Sequence, residues 1–200
     1  MNVDPESQPR PSQRNWLVAA VLVVAALGAV GGLAWPMIAD MWKTQVQKDW
    51  YGRGQGYATQ GDTTEAVRAF QRAEEAGLAT PEFYGRWGRI EMYAMQGFRA
   101  ESHFIRALEI APGYGPARAD LAMLYLRRGW QEQAAQQYVL AATALPDSAA
   151  PLYVTAGTLY EELKKRERAV EMYRKALAAR RGYLPALEGL LRLGEPLPGR

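Results

Sequence analysis

Four copies of one pattern, Ala-x-x-x-Phe/Tyr-x-x-Ala, punctuate the chain: Ala66-Phe70-Ala73, Ala100-Phe104-Ala107, Ala134-Tyr138-Ala141 and Ala169-Tyr173-Ala176. The copies lie 34, 34 and 35 residues apart. A unit of this length cannot bury its apolar face alone, so neighbouring copies must stack. A small residue precedes each first alanine by a fixed distance: Gly54, Gly88, Ala122 and Gly157. One turn beyond it come Tyr57, Glu91, Tyr125 and Tyr160, and one turn before it, in three copies, Trp50, Tyr84 and Tyr153. Small residues at such positions let two helices approach closely, and an aromatic side chain fills the gap between them.

This pattern resembles the tetratricopeptide repeat family, whose unit is two antiparallel helices in about 34 residues. The likeness covers residues 47–183, in copies 47–80, 81–114, 115–149 and 150–183. The third copy carries the most of it, with Leu121, Ala122, Tyr125, Gly129, Ala134, Tyr138, Ala141 and Pro146 in place. In the second copy Glu91 replaces the tyrosine, and the inter-helix glycine is expected to be displaced to Gly97. Leu78 and Arg181 stand where proline is usual. The resemblance implies an all-α chain, an α-solenoid of four helix-turn-helix repeats. The apolar stretch 184–193, with Leu187, Leu190, Leu191 and Leu193, is expected to cap its end, and 194–200 to be irregular.

Upstream, no charge occurs between Arg14 and Asp40. Residues 16–39 are accordingly expected to form a single N-terminal transmembrane helix. The 23 residues Trp16–Ile38 would rise about 35 Å, against about 30 Å of hydrocarbon core. Trp16 and Trp35 fall near its ends, where aromatic rings favour the headgroup level. Gly28 and Gly32 form a G-x-x-x-G pair that could pack on another membrane helix. The tail 1–15 is expected to be disordered and cytoplasmic, the segment 40–46 to be a short tether, and the repeats to lie outside the cytoplasm, facing the lipid bilayer.

Composition excludes whole classes of chemistry. Cysteine is absent and histidine occurs once, at His103. Disulfide frameworks, thiolate catalysis and zinc-thiolate sites are therefore unavailable. No Ser-His-Asp or Cys-His set can be assembled around His103. Gly52-x-Gly54-x-Gly56 follows no strand and lacks the Gly-Lys-Ser/Thr ending of a phosphate loop. The net charge of +3 is too small to argue for nucleic-acid binding. No catalytic residue, cofactor, metal or small-molecule substrate is expected.

The resemblance implies a concave groove lined by the first helix of each repeat. Carried over position by position, it nominates Tyr51, Gln55, Arg86, Arg89, Met92, Tyr93, Met123, Leu126, Arg127, Thr158 and Glu162 as partner-contacting residues. The middle of that set is basic and apolar, which suits a protein segment with acidic and apolar side chains. The carboxylate clamp of one family subset is absent, since Tyr51, Gln55, Pro116 and Asp120 stand at its positions. Two functions fit. One is a membrane-anchored interaction scaffold or assembly factor acting on a membrane protein complex. The other is a permanent accessory subunit of such a complex, of respiratory or photosynthetic type, packed through Gly28 and Gly32.

Overall fold

The structure is a computed structural model in which residues 34–197 are described. Among these residues it contains nine α-helices and no strand. They are α1 (Ala34–Thr59), α2 (Thr63–Glu75), α3 (Pro81–Tyr93), α4 (Gly97–Ile110), α5 (Gly115–Arg127), α6 (Gln131–Ala144), α7 (Ala149–Glu162), α8 (Arg166–Ala179) and α9 (Leu184–Arg192). The chain divides into two compact units, Met1–Val46 and Gln47–Arg200.

In the first unit only residues 34–46 are described. They are helical throughout, so the expected tether 40–46 is a stretch of α1. The expected single-pass membrane localisation is corrected here. Among the described residues no helix is long and apolar enough to cross a membrane. Helix α1 takes on Asp40 and Lys43 soon after its start and Lys48, Asp49 and Arg53 further on, each of which is costly in hydrocarbon. The rest of the expected span, 16–33 with Gly28 and Gly32, and the tail 1–15 lie outside the described residues.

In the second unit, helices pack in sequence-adjacent pairs: α3 on α4, α5 on α6, and α7 on α8. Each pair also contacts the next, through α4–α5 and α6–α7. The repeated small residues explain the close approach. A Cβ at Gly54 would fall 2.5 Å from the Phe70 ring, one at Gly88 2.8 Å from Phe104, and one at Gly157 2.8 Å from Tyr173. No side chain tolerates such contacts without moving its neighbour. The alanines on either side of these rings, Ala66, Ala73, Ala100, Ala107, Ala134, Ala141, Ala169 and Ala176, are all completely buried. Helix α9 closes the far end: Leu190 and Ala186 are fully buried, and Gly189 lies against Tyr173.

Local signals start and stop the helices. Asp62 caps α2 by accepting from the Glu65 N–H, and Thr80 caps α3 by accepting from the Phe83 N–H with Pro81 in the first turn. Within each pair the turn uses one left-handed residue: Gly61 (φ 80°), Met95 (φ 62°), Gly129 (φ 78°) and Lys164 (φ 60°). The N–H after it donates back to the carbonyl of Tyr57, Glu91, Tyr125 or Tyr160, closing the helix end. The second turn therefore differs from expectation. Met95, not Gly97, takes the strained position, and Gly97 is the first residue of α4.

Candidate interaction surface

Pairs α1–α2 and α3–α4 leave an open cleft of about 330 Å³ between them, lined by Gln55, Ala58, Thr59, Thr63, Phe70, Arg86, Arg89, Ile90 and Tyr93. Four of the expected groove residues meet here: Gln55 from α1 and Arg86, Arg89 and Tyr93 from α3. On α3, positions 86, 89 and 93 share one stripe at spacings of three and four. Phe70 and Ile90 supply an apolar wall. Gln55, Thr59 and Thr63 supply hydroxyl and amide groups that can bond to a peptide backbone.

The two arginines differ. Arg89 is committed: its Nε and Nη2 donate to Asp120 Oδ2 at 3.1 and 2.8 Å, tying α3 to α5. Asp120 is itself buried, and burial pushes its carboxyl above the ordinary value against the opposing pull of Arg89. For Arg89, burial acts to lower the guanidinium, but bonding to Asp120 outweighs it and leaves the group above its ordinary value. Arg86 is exposed, and among the described residues no carboxylate pairs with it. It is the cleft's available cation.

The other expected residues go to different places. Met92 is 1% exposed and belongs to the core. This corrects its nomination as a partner-contacting side chain. It sits one turn beyond Gly88, on the helix face that meets Phe104. Tyr51 is half-buried, its ring edge-on to Phe70 at 5.5 Å and to Phe83 at 5.9 Å, so packing occupies most of it. Met123 and Leu126 on α5 are exposed. Arg127 lies back on the preceding pair, donating to the Met92 carbonyl at 3.1 Å and contacting Met95 Sδ at 2.9 Å. Thr158 bonds to the Val154 carbonyl, and Glu162 accepts from Gln131 Nε2 at 3.0 Å. Neither of the last two lines the cleft.

Behind the cleft lies a polar pair that the sequence marked only by an irregularity. Glu91, standing where the other copies have tyrosine, is 1% exposed. Its Oε2 is 2.7 Å from His103 Nδ1. The imidazole stacks on Trp87 with ring centres 4.0 Å apart. A carboxylate this deep needs its partner, and the partly buried histidine of α4 supplies it.

Residues 150–183 match the family model "Tetratricopeptide repeat". This is the α7–α8 pair, not the third copy that carries the most pattern residues. The chain has the tetratricopeptide repeat fold. Solved structures share it. YrrB, described as a TPR protein with an unusual peptide-binding site, aligns with a TM-score of 0.57 at 24% identity over 87% of this chain and 89% of its own. MamA aligns with a TM-score of 0.60 at 19% identity over 83% and 87%. A tetratricopeptide repeat protein from Parabacteroides merdae gives 0.65 at 20% identity over 74% and 59%. No curated protein matches the sequence. Tetratricopeptide repeats are typically non-catalytic units of protein–protein interaction, and this chain's fold is consistent with an interaction scaffold.

Proposed function

We propose that this protein is an interaction scaffold that holds a partner polypeptide segment, with acidic and apolar side chains, along the first helices of its repeats. The cleft carries the reading, because it gathers Gln55, Arg86, Arg89 and Tyr93 around an apolar wall. An acidic side chain would pair with Arg86, and an apolar one would enter against Phe70 and Ile90. From there the segment would continue over Met123, Leu126 and Arg127, towards Thr158 and Glu162. Arg89, braced by Asp120, presents the remainder of its positive edge without reorganising. Tyr51 and Met92 support this surface from behind. The peptide-binding site named for YrrB supports a peptide as the ligand. A cleft of about 330 Å³ admits one or two side chains.

Photo-cross-linking tests the reading. A photoreactive residue in place of the exposed Tyr93 should form adducts with a polypeptide. Arg86→Glu should reduce them roughly tenfold, the scale of one lost charge-assisted bond. Lys164→Glu, on the exposed turn of the last pair, should leave them unchanged. Equal reduction by both variants, or none by Arg86→Glu, would overturn the proposal.

A further inference from the structure

A second surface lies outside the cleft, on the edge formed by the turns of pairs α3–α4 and α5–α6. Three large apolar side chains stand in water there: Met95 at 78%, Phe98 at 83% and Trp130 at 44% exposure. Phe98 is the most exposed large apolar side chain among the described residues. Two neighbouring arginines lie against these side chains. The Arg128 guanidinium lies over the Phe98 ring at 4.8 Å and over the Trp130 ring at 5.1 Å, and Arg127 touches Met95 Sδ. Apolar residues scattered singly on a surface need no explanation, but exposed aromatic rings that share one guanidinium do.

The chemistry around the patch selects its occupant. Arg99 and Arg127 have no carboxylate partner among the described residues; Arg99 reaches only the Gln96 side chain, and Arg127 a carbonyl and a sulfur. Arg128 pairs with Glu101, yet its Nη2 is buried and bonds to nothing. A buried guanidinium N–H without an acceptor is costly. Phe98 lies over the same guanidinium and is itself almost wholly in water. The rim is therefore cationic with one orphaned donor, and the centre is aromatic. A second copy docking through the same patch would set these arginines against their own equivalents, since a two-fold interface is self-facing.

We propose that this edge is a docking surface for a partner protein segment in which bulky apolar side chains alternate with carboxylates. The apolar side chains would lie on Met95, Phe98 and Trp130, with one carboxylate reaching Arg128 Nη2 and others pairing with Arg99 and Arg127. The surface lies outside the cleft, and Arg127 alone is shared with the path proposed for the cleft's ligand. It uses the turn residues of two repeats, and not the first-helix stripe of Arg86, Arg89 and Tyr93.

A random-peptide phage library, selected on the full chain, is the probe. Binders are sorted by whether they are lost on a Phe98→Ala/Trp130→Ala variant whose helicity is checked by circular dichroism, or on Arg86→Glu. The expected result is a class of binders that is enriched in Asp and Glu beside Leu, Phe and Trp. This class should weaken roughly tenfold or more on the double variant, the scale of losing central aromatic anchors, and hold on Arg86→Glu. The proposal is overturned if no class depends on Phe98 and Trp130, or if that class lacks acidic residues. It is likewise overturned if light scattering shows a concentration-dependent dimer of the full chain that the double variant abolishes, since the occupant is then a second copy.

Discussion

The first two helix pairs and the last two are built on one pattern but differ in what they do with it. Around α2–α4 the core is aromatic: Phe70 stacks on Phe83 with centres 5.4 Å apart, and Phe83 meets Trp87 edge-on at 5.6 Å. Around α6–α9 it is mostly alanine and leucine, with three tyrosines, Tyr138, Tyr160 and Tyr173. The outside of the last pairs is stitched by ions. Glu195 takes Arg166 at 2.8 Å and Arg174 at 3.0 Å, Arg192 takes Glu161 at 3.1 Å, and Arg168 takes Glu132 at 3.0 Å. The α7–α8 pair follows the family closely enough to be matched in sequence. The α3–α4 pair departs from it at Glu91, both pairs place a non-glycine residue, Met95 or Lys164, at the left-handed turn, and both proposed surfaces adjoin α3–α4. On the proposed reading, the regular repeats supply the frame and specificity gathers where the repeat is irregular.

The Glu91–His103 pair is the sharpest place to break the comparison. Its counterparts in the α7–α8 pair are Tyr160 and Met172, both buried. His103→Met leaves Glu91 without its partner and should destabilise the protein by about 3–5 kcal/mol. Adding Glu91→Tyr, which recreates the arrangement of the last pair, should recover most of that loss. A double-mutant cycle by urea denaturation measures both. If the single and double variants are equally unstable, the two pairs are not interchangeable in packing.

Core contacts come next. Ala134 is fully buried between α5 and α6, and Ala134→Leu should overpack it at a cost of about 1–3 kcal/mol. The exposed neighbour Gln136→Leu should cost little, and the midpoint shift in thermal denaturation separates the two. Ala100→Leu, at the same position among aromatic neighbours, should cost at least as much. A smaller cost there would mean that the aromatic core is the looser one.

Acid acts with opposite sign on two carboxylates of the last two pairs, Glu161 on α7 and Asp120 on α5. Glu161 lies below the ordinary carboxylate value, chiefly through its bond to Arg192, with Tyr173 adding to it. A lowered native value means that Glu161 contributes stability above the ordinary range and loses it as pH falls through the lowered one. Asp120, raised by burial, behaves oppositely: taking up its proton between the raised and the ordinary value removes a penalty. Hydrogen exchange should therefore show α9 loosening on acidification before α5 does. Glu161→Gln should abolish the pH dependence at α9.

These contrasts follow what was legible in the chain. Alanine and glycine at helix-contact positions leave little choice of partner, so the pairing of Gly54 with Phe70, Gly88 with Phe104 and Gly157 with Tyr173 could be read from spacing. Met92 could not be placed by analogy, because Leu126, at the equivalent distance from Ala122, is exposed whereas Met92 is buried. The bond between Glu91 and His103 joins two helices by no periodic rule, and only the missing tyrosine hinted at it. Arg89 looked available until the third pair brought Asp120 against it. The edge formed by Met95, Phe98 and Trp130 was invisible because the residues come from two turns that meet only on stacking.

The smallest expected effect concerns those turns. Gly61 and Gly129 take the left-handed conformation without a Cβ, whereas Met95 and Lys164 take it at φ 62° and 60° with one. An L-residue there costs about 1–2 kcal/mol, and glycine returns part of the relief as unfolded-state entropy, about 0.5–1 kcal/mol. Met95→Gly and Lys164→Gly should each stabilise the protein by up to about 1 kcal/mol, read as a shift in urea midpoint. Gly129→Ala should move the midpoint the other way. Lys164 lies on the turn of the last pair, away from the exposed aromatic edge, and its charge acts on Glu161. Met95→Gly, in contrast, should stabilise the fold while weakening the peptides that depend on Phe98 and Trp130, since it removes the thioether that Arg127 touches. If Met95→Gly stabilises the protein and leaves those peptides unaffected, the strain at Met95 serves no surface, and the two irregular turns are alike.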